Sequence, residues 1–148
     1  MRKPQLLVID DDTAHLASLS KIFKRMKIEC LAVPRGNEGL SMLSQYYGSI
    51  SVVLTDLMLP DRDGIELLKE IKETYPEVEV VLMTAYGTIE RAVEAMRMGA
   101  YDFITKPFRR AEIEQLIHRA FERASLIAEN RALKEKLAAR EQRDALNS

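Results

Sequence analysis

Asp10-Asp11-Asp12 ends one short apolar run, Thr55-Asp56 ends another, Met83-Thr84-Ala85 a third, and Thr105-Lys106-Pro107 a fourth. If Asp10, Asp11 and Asp56 meet, three carboxylates at close range repel one another unless some are protonated or a cation intervenes. A hard divalent ion answers this economically, because Mg²⁺ takes oxygen ligands from a few carboxylates, waters and phosphate oxygens at about 2.0–2.1 Å. No pair of His or Cys offers a zinc site instead. Three carboxylates, one Mg²⁺ and the Lys106 ammonium leave such a cluster close to neutral. One added phosphoryl group would make it anionic, and the Thr84 hydroxyl, Lys106 and nearby backbone N–H groups are the candidate donors for it.

Each of these residues also has a plainer reading. Asp12 suits the N-cap of a helix, alone or with Thr13. Asp10 and Asp11 by themselves make a polar turn, and Lys106 before Pro107 is a charged residue at a bend. Asp61 and Asp63 lie in Pro60-Asp61-Arg62-Asp63-Gly64, where carboxylates shape a turn and start a helix, and no chemistry is assigned to them. The case for chemistry rests on coincidence: the chosen groups all fall at one edge of a single inferred sheet.

That sheet follows from periodicity. Leu6 to Ile9, Cys30 to Val33, Val52 to Thr55, Val78 to Thr84 and Tyr101 to Thr105 are short, mostly apolar runs that read as buried strands. Between them, Leu16, Leu19, Phe23 and Met26, then Leu40, Leu43 and Tyr47, then Ile65, Leu68 and Ile71, and finally Ile89, Val93 and Met96 repeat at amphipathic-helix spacing. Asp63 with Glu66 resembles a capping box, and Gly99 sits where the fourth helix should stop. Strict β-α alternation predicts an α/β fold, a flavodoxin-like (βα)5 doubly wound parallel sheet with strand order 2-1-3-4-5. In that order the ends of strands one, three and four are neighbours, and ligands gather at the carboxyl ends of such strands.

The last 40 or so residues differ, since Gly and Pro vanish after Pro107 and Ala111 to about Arg143 is rich in Ala, Leu, Glu, Lys and Arg. One extended C-terminal helix is expected, roughly 50 Å long at 1.5 Å per residue, so its distal half must protrude from the domain. Residues 4–122 read as the domain and 123–148 as a helical extension, linker or coiled-coil dimerisation segment. Leu126, Asn130, Leu133 and Leu137 follow a coiled-coil seam spacing, with Asn130 at an a position that favours two strands in register. The competing reading is a solvated or frayed helix.

Composition narrows the function classes. The sequence has 22 Lys and Arg against 23 Asp and Glu, a formal net charge of −1, so no general attraction to nucleic acid is evident. Cys30 is the single cysteine, which rules out an internal disulfide and reads as a small core residue in a reducing compartment. No apolar stretch approaches the roughly 18 residues of a membrane span. Cytoplasmic placement, no membrane and no direct nucleic-acid binding by this chain are the expectations. His15 and His118 are solitary and read as helix-surface or partly buried side chains rather than donors or ligands.

Leu7-Val8-Ile9-Asp10-Asp11, Leu54-Thr55-Asp56-Leu57-Met58-Leu59-Pro60 with Asp63-Gly64, Met83-Thr84-Ala85 and Thr105-Lys106-Pro107-Phe108 together resemble the receiver domain of bacterial two-component response regulators, the CheY-like family. The resemblance covers residues 4 to about 122, and it is the ordered set that is specific. It implies that Asp56 is the phosphoacceptor for a sensor histidine kinase or a small acyl phosphate. It further implies that Asp11 and Asp56 hold Mg²⁺ directly, Asp10 acts chiefly through water, and Met58 offers a backbone carbonyl. Thr84 and Lys106 would hold phosphoryl oxygens, Phe103 would occupy the aromatic switch position, and Lys106-Pro107 would be a cis peptide. Thr84-Ala85-Tyr86-Gly87-Thr88-Ile89, Gly99 to Phe108 and Ala128-Glu129-Asn130-Arg131-Ala132-Leu133 resemble more narrowly the NtrC-type enhancer-binding regulators. With no Walker A loop and no helix-turn-helix pattern in the sequence, an isolated regulatory module or cut fragment is expected, its transcription-activating output lying elsewhere.

On this reading the chain is a signalling phosphoacceptor rather than an enzyme, and a homodimer through its tail. An FMN binder is disfavoured, because three aspartates after the first strand repel the cofactor's phosphate. A phosphatase needs a second acid where Met58 stands. The remaining alternative is a stand-alone dimerisation or scaffold domain with a vestigial receiver site.

Overall fold

The computed structural model describes residues 3–85 and 88–147. Five strands, β1 (Leu6–Ile9), β2 (Cys30–Val33), β3 (Val52–Asp56), β4 (Glu79–Thr84) and β5 (Asp102–Thr105), alternate with α1 (Thr13–Arg25), α2 (Gly36–Gln45), α3 (Gly64–Thr74), α4 (Ile89–Arg97) and α5 (Arg110–Asn147). The strands form one parallel sheet in the order β2-β1-β3-β4-β5, the flavodoxin-like order expected from the alternation. The strand limits differ from expectation by one residue at three ends. Val78 donates its N–H to Tyr75 O in a turn, so β4 begins at Glu79. β5 begins at Asp102, and β3 continues through Asp56, which pairs with Met83.

Apolar residues on both sides of each central strand make two cores. Leu7, Ile9, Val53, Val80 and Leu82 pack with Leu43, Leu67, Leu68 and Ile71 on one face. Leu6, Val8, Leu54, Val81 and Met83 pack with Leu19, Phe23, Ile113 and Ile117 on the other. Each such side chain stabilises the fold by about 1.5–3 kcal/mol when fully buried, which fixes the register that carries the site. Cys30 is half-buried against the second core, where desolvation pushes its thiol up to about 12, as suits a packing residue.

Two sequence-based helix faces need correction. Tyr47 lies beyond the end of α2, exposed, with its ring 5.6 Å from that of Tyr75. In α4 the buried residues are Ala92 and Ala95, whereas Ile89 and Val93 are 38% and 44% exposed. Small side chains face the sheet there, with Met96 half-buried against the core, while Ile89 and Val93 point outward.

Helix α5 runs unbroken past both ends of its expected range, and the last of its buried residues is Ala124. Among the described residues no helix is long and apolar enough to cross a membrane.

Candidate functional site

The carboxyl ends of β1, β3, β4 and β5 converge because the sheet is parallel and each strand ends at the same level. Asp12 caps α1 by accepting the His15 N–H at 3.1 Å, and it receives no other assignment. That cap turns the chain sharply after Asp10 and leaves Asp10 and Asp11 at the sheet edge. Asp56 ends β3 beside them, and Gly64 seats the following loop: its N–H donates to Leu57 O at 2.8 Å, so close that a Cβ would lie 2.3 Å from that oxygen.

One carboxylate oxygen from each of Asp10, Asp11 and Asp56 lies within 4.8 Å of the others. This all-oxygen donor set is able to hold a hard cation. Asp10 is fully buried, Asp56 half-buried and Asp11 exposed. Lys106 reaches between strands, with Nζ donating to Asp10 Oδ2 at 2.9 Å and to Asp56 Oδ2 at 2.8 Å. Its own N–H donates to Thr84 O at 2.7 Å, and its bond to Pro107 is cis, as the resemblance implied. The Met58 N–H donates to Asp56 Oδ1 at 3.1 Å while its side chain is exposed, which brings the Met58 backbone to Asp56.

Electrostatics hold Asp10 and Lys106 ionised. Burial pushes the Asp10 carboxyl up, but hydrogen bonds from His15, the Asp12 N–H and Lys106 more than offset it, leaving Asp10 below the usual carboxylate range. Burial likewise pushes Lys106 down, but Asp56 and Asp10 hold the ammonium above its ordinary value. Thr84 is fully buried, and its Oγ1 has no hydrogen-bond partner among the described residues. An orphaned donor at the end of β4, the strand paired with the one that ends in Asp56, suits an incoming anion that brings acceptor oxygens.

Phe103 is half-buried on β5 and packs on the core face that also holds Ala95 and Met96 of α4. Leu126, Asn130, Leu133 and Leu137 lie on α5 far from the carboxylates, all exposed. Tyr86 and Gly87 lie outside the described residues.

His15 is half-buried, within the sequence reading, but it is not without a polar partner: Nδ1 lies 2.6 Å from Asp10 Oδ2 and its ring packs on Phe108, centroid to centroid 5.5 Å. Its position, third after the Asp12 cap, was the available signal: the first turn of α1 folds back over the residues that precede it. His118 behaves as expected, exposed and paired with Glu122 one helical turn on.

A family model described as the response regulator receiver domain matches residues 6–118. The chain is 38% identical over 120 residues to the DNA-binding transcriptional regulator NtrC of Proteus hauseri, an alignment covering 81% of this chain and 25% of that protein. It is 34% identical over 134 residues to the regulatory protein AtoC of Escherichia coli K12, covering 90% of this chain and 29% of that one. The chain therefore spans about a quarter of the length of these curated relatives. Among solved structures, a response regulator receiver domain protein from Clostridium thermocellum superposes with a TM-score of 0.80 at 30% identity, covering 84% of this chain and 99% of that one. NtrX from Brucella abortus superposes with a TM-score of 0.80 at 32% identity, covering 90% of this chain and 30% of that one.

Proposed function

This chain belongs to the response regulator receiver domain family, in its NtrC-type branch, and from that premise we propose that Asp56 accepts a phosphoryl group from a sensor histidine kinase or a small acyl phosphate. The observation that carries the reading is the meeting of Asp10, Asp11 and Asp56 at one strand edge, with Lys106 shared between Asp10 and Asp56.

A carboxylate oxygen of Asp56 attacks phosphorus in line. A new P–O bond forms as the donor's P–N or acyl P–O bond breaks, and the departing imidazole or carboxylate keeps the electron pair. Asp11 and Asp56 would hold Mg²⁺, with Asp10 and the Met58 carbonyl assisting, and the ion would supply positive charge against the transferring group. Lys106 moves from Asp56 Oδ2 onto a phosphoryl oxygen, and the Thr84 hydroxyl, which has no partner among the described residues, donates to another. Little bond chemistry is asked of the protein; positioning does most of it.

Once Thr84 is drawn toward the phosphoryl group, space opens beneath α4 and Phe103 turns into it, shifting an existing equilibrium. The surface of α4, β5 and α5, where Ile89 and Val93 are already exposed, carries the change outward. The chain alters only its own covalent state, in the cytosol, and hands the signal to a transcription-activating partner domain. No nucleic-acid contact is assigned to residues 1–148. Residues 4–122 do this work and 123–148 join a second copy through Leu126, Asn130, Leu133 and Leu137. In a parallel register Glu129 would oppose Lys134 of the second copy, and Lys136 would oppose Glu141, both attractive pairs. A scaffold with a vestigial site is disfavoured, since no acidic or Lys position is missing.

Acetyl phosphate with Mg²⁺ is expected to add one phosphoryl mass to the wild type, and neither Asp56→Asn nor the chelated wild type should gain it. Undiminished labelling of Asp56→Asn overturns the reading.

A further inference from the structure

We infer that His15 is a positioning residue of the phosphoacceptor site, bracing Asp10 and the Lys106 loop so that the ammonium stays shared between Asp10 and Asp56. The inference rests on the reading of Asp56 as acceptor. An ionised carboxylate only accepts hydrogen bonds, so the 2.6 Å contact requires the proton on His15 Nδ1. Asp10 then receives three donors inside the protein: the Asp12 N–H on Oδ1 at 3.0 Å, and His15 and Lys106 together on Oδ2.

Take away the imidazole donor and Oδ2 of this fully buried carboxylate keeps Lys106 alone. Lys106 is a compact charge on a flexible stem. Its pull toward Asp10 grows at the expense of its 2.8 Å bond to Asp56, and the phosphoryl group arriving at Asp56 meets a displaced ammonium. The other face of His15 acts on the same pair. Its ring packs on Phe108, two residues past Lys106, so one side chain ties the first turn of α1 to the loop between β5 and α5.

Two substitutions separate hydrogen bonding from space filling. His15→Leu keeps apolar contact with Phe108 and loses the donor; His15→Asn places an amide N–H where Nδ1 stood. At saturating Mg²⁺ and fixed acetyl phosphate, His15→Leu in the full chain should label Asp56 at least about five-fold more slowly, the scale expected when a buried charged group loses a donor. The half-saturating Mg²⁺ concentration should stay within about two-fold, and His15→Asn should recover to within about two-fold of the wild-type rate. A wild-type rate in His15→Leu, or an equal loss in both variants, overturns the inference. The nitrogen resonance of the Lys106 ammonium gives a readout independent of labelling: it should move in His15→Leu and hold in His15→Asn, and an unmoved resonance in His15→Leu also overturns it. If the wild type itself takes no label on Asp56, the acceptor reading fails, and that resonance still decides whether His15 positions Lys106.

Discussion

The buried hydroxyl of Thr84 meets no hydrogen-bond partner among the described residues, and a group in that condition costs about 1–3 kcal/mol. Thr84→Val is therefore expected to raise the unfolding midpoint by a few degrees, on the scale of about 2–4 °C per kcal/mol for a protein of this size. The same change should slow phosphoryl labelling of Asp56. Calorimetry checks the first half and mass spectrometry the second; a lowered midpoint would mean the hydroxyl is satisfied in solution. Asp10, Asp11, Asp56 and Lys106 were legible in the sequence because each follows an apolar run that could only be a buried strand. His15 was missed, because its partner lies five residues back across a capping turn, so its place after the Asp12 cap marks it and no helix or strand periodicity does.

At the level of elements, α2 begins without a side-chain cap of its own, and the distant loop before α3 supplies one. Asp61 accepts the N–H groups of Gly36 at 3.0 Å and Asn37 at 2.9 Å, which satisfies two of the orphan donors at a helix start. Desolvation pushes the Asp61 carboxyl up, but these two N–H bonds, together with its own N–H and the Arg35 charge, hold the group below its ordinary value. A depressed carboxyl stabilises the fold above the unfolded-state value of about 3.9 and loses that contribution as pH falls through the folded value. Acid titration of unfolding should show the wild type losing stability below about pH 4 faster than Asp61→Asn; parallel curves would sever the link between α2 and that loop. The sequence showed Asp61 only as a turn residue, since a cap 24 residues away leaves no local pattern. The strands were legible to within a residue. On α4 the reading held for Met96 and failed for Ile89 and Val93, because the buried Ala92 and Ala95 carry less apolar weight in a pattern than those exposed residues.

For the whole molecule, α5 is the feature that sets its shape. Beyond Ala124 it leaves the core, and Arg131 pairs with Glu77 in the α3–β4 connection. Leu126, Leu133 and Leu137 stay 57%, 51% and 58% exposed, half-covered positions that a second copy would close. Sedimentation equilibrium at high micromolar concentration should find a dimer for the wild type and a monomer for Leu133→Asp; a monomeric wild type, unchanged by the substitution, would end the tail's role in pairing. The unbroken axis from Arg110 to Asn147 also makes α5 a lever. The stretch past Ala124 is an arm of roughly 35 Å, so a tilt of about 10° at the seat of the helix would sweep its tip by about 6 Å. The Arg131 to Glu77 tie sits about 10 Å along that arm, so while it holds, the part that swings freely is the roughly 24 Å beyond it. Small rearrangements near one pole of the domain would thus be magnified mechanically at the far end.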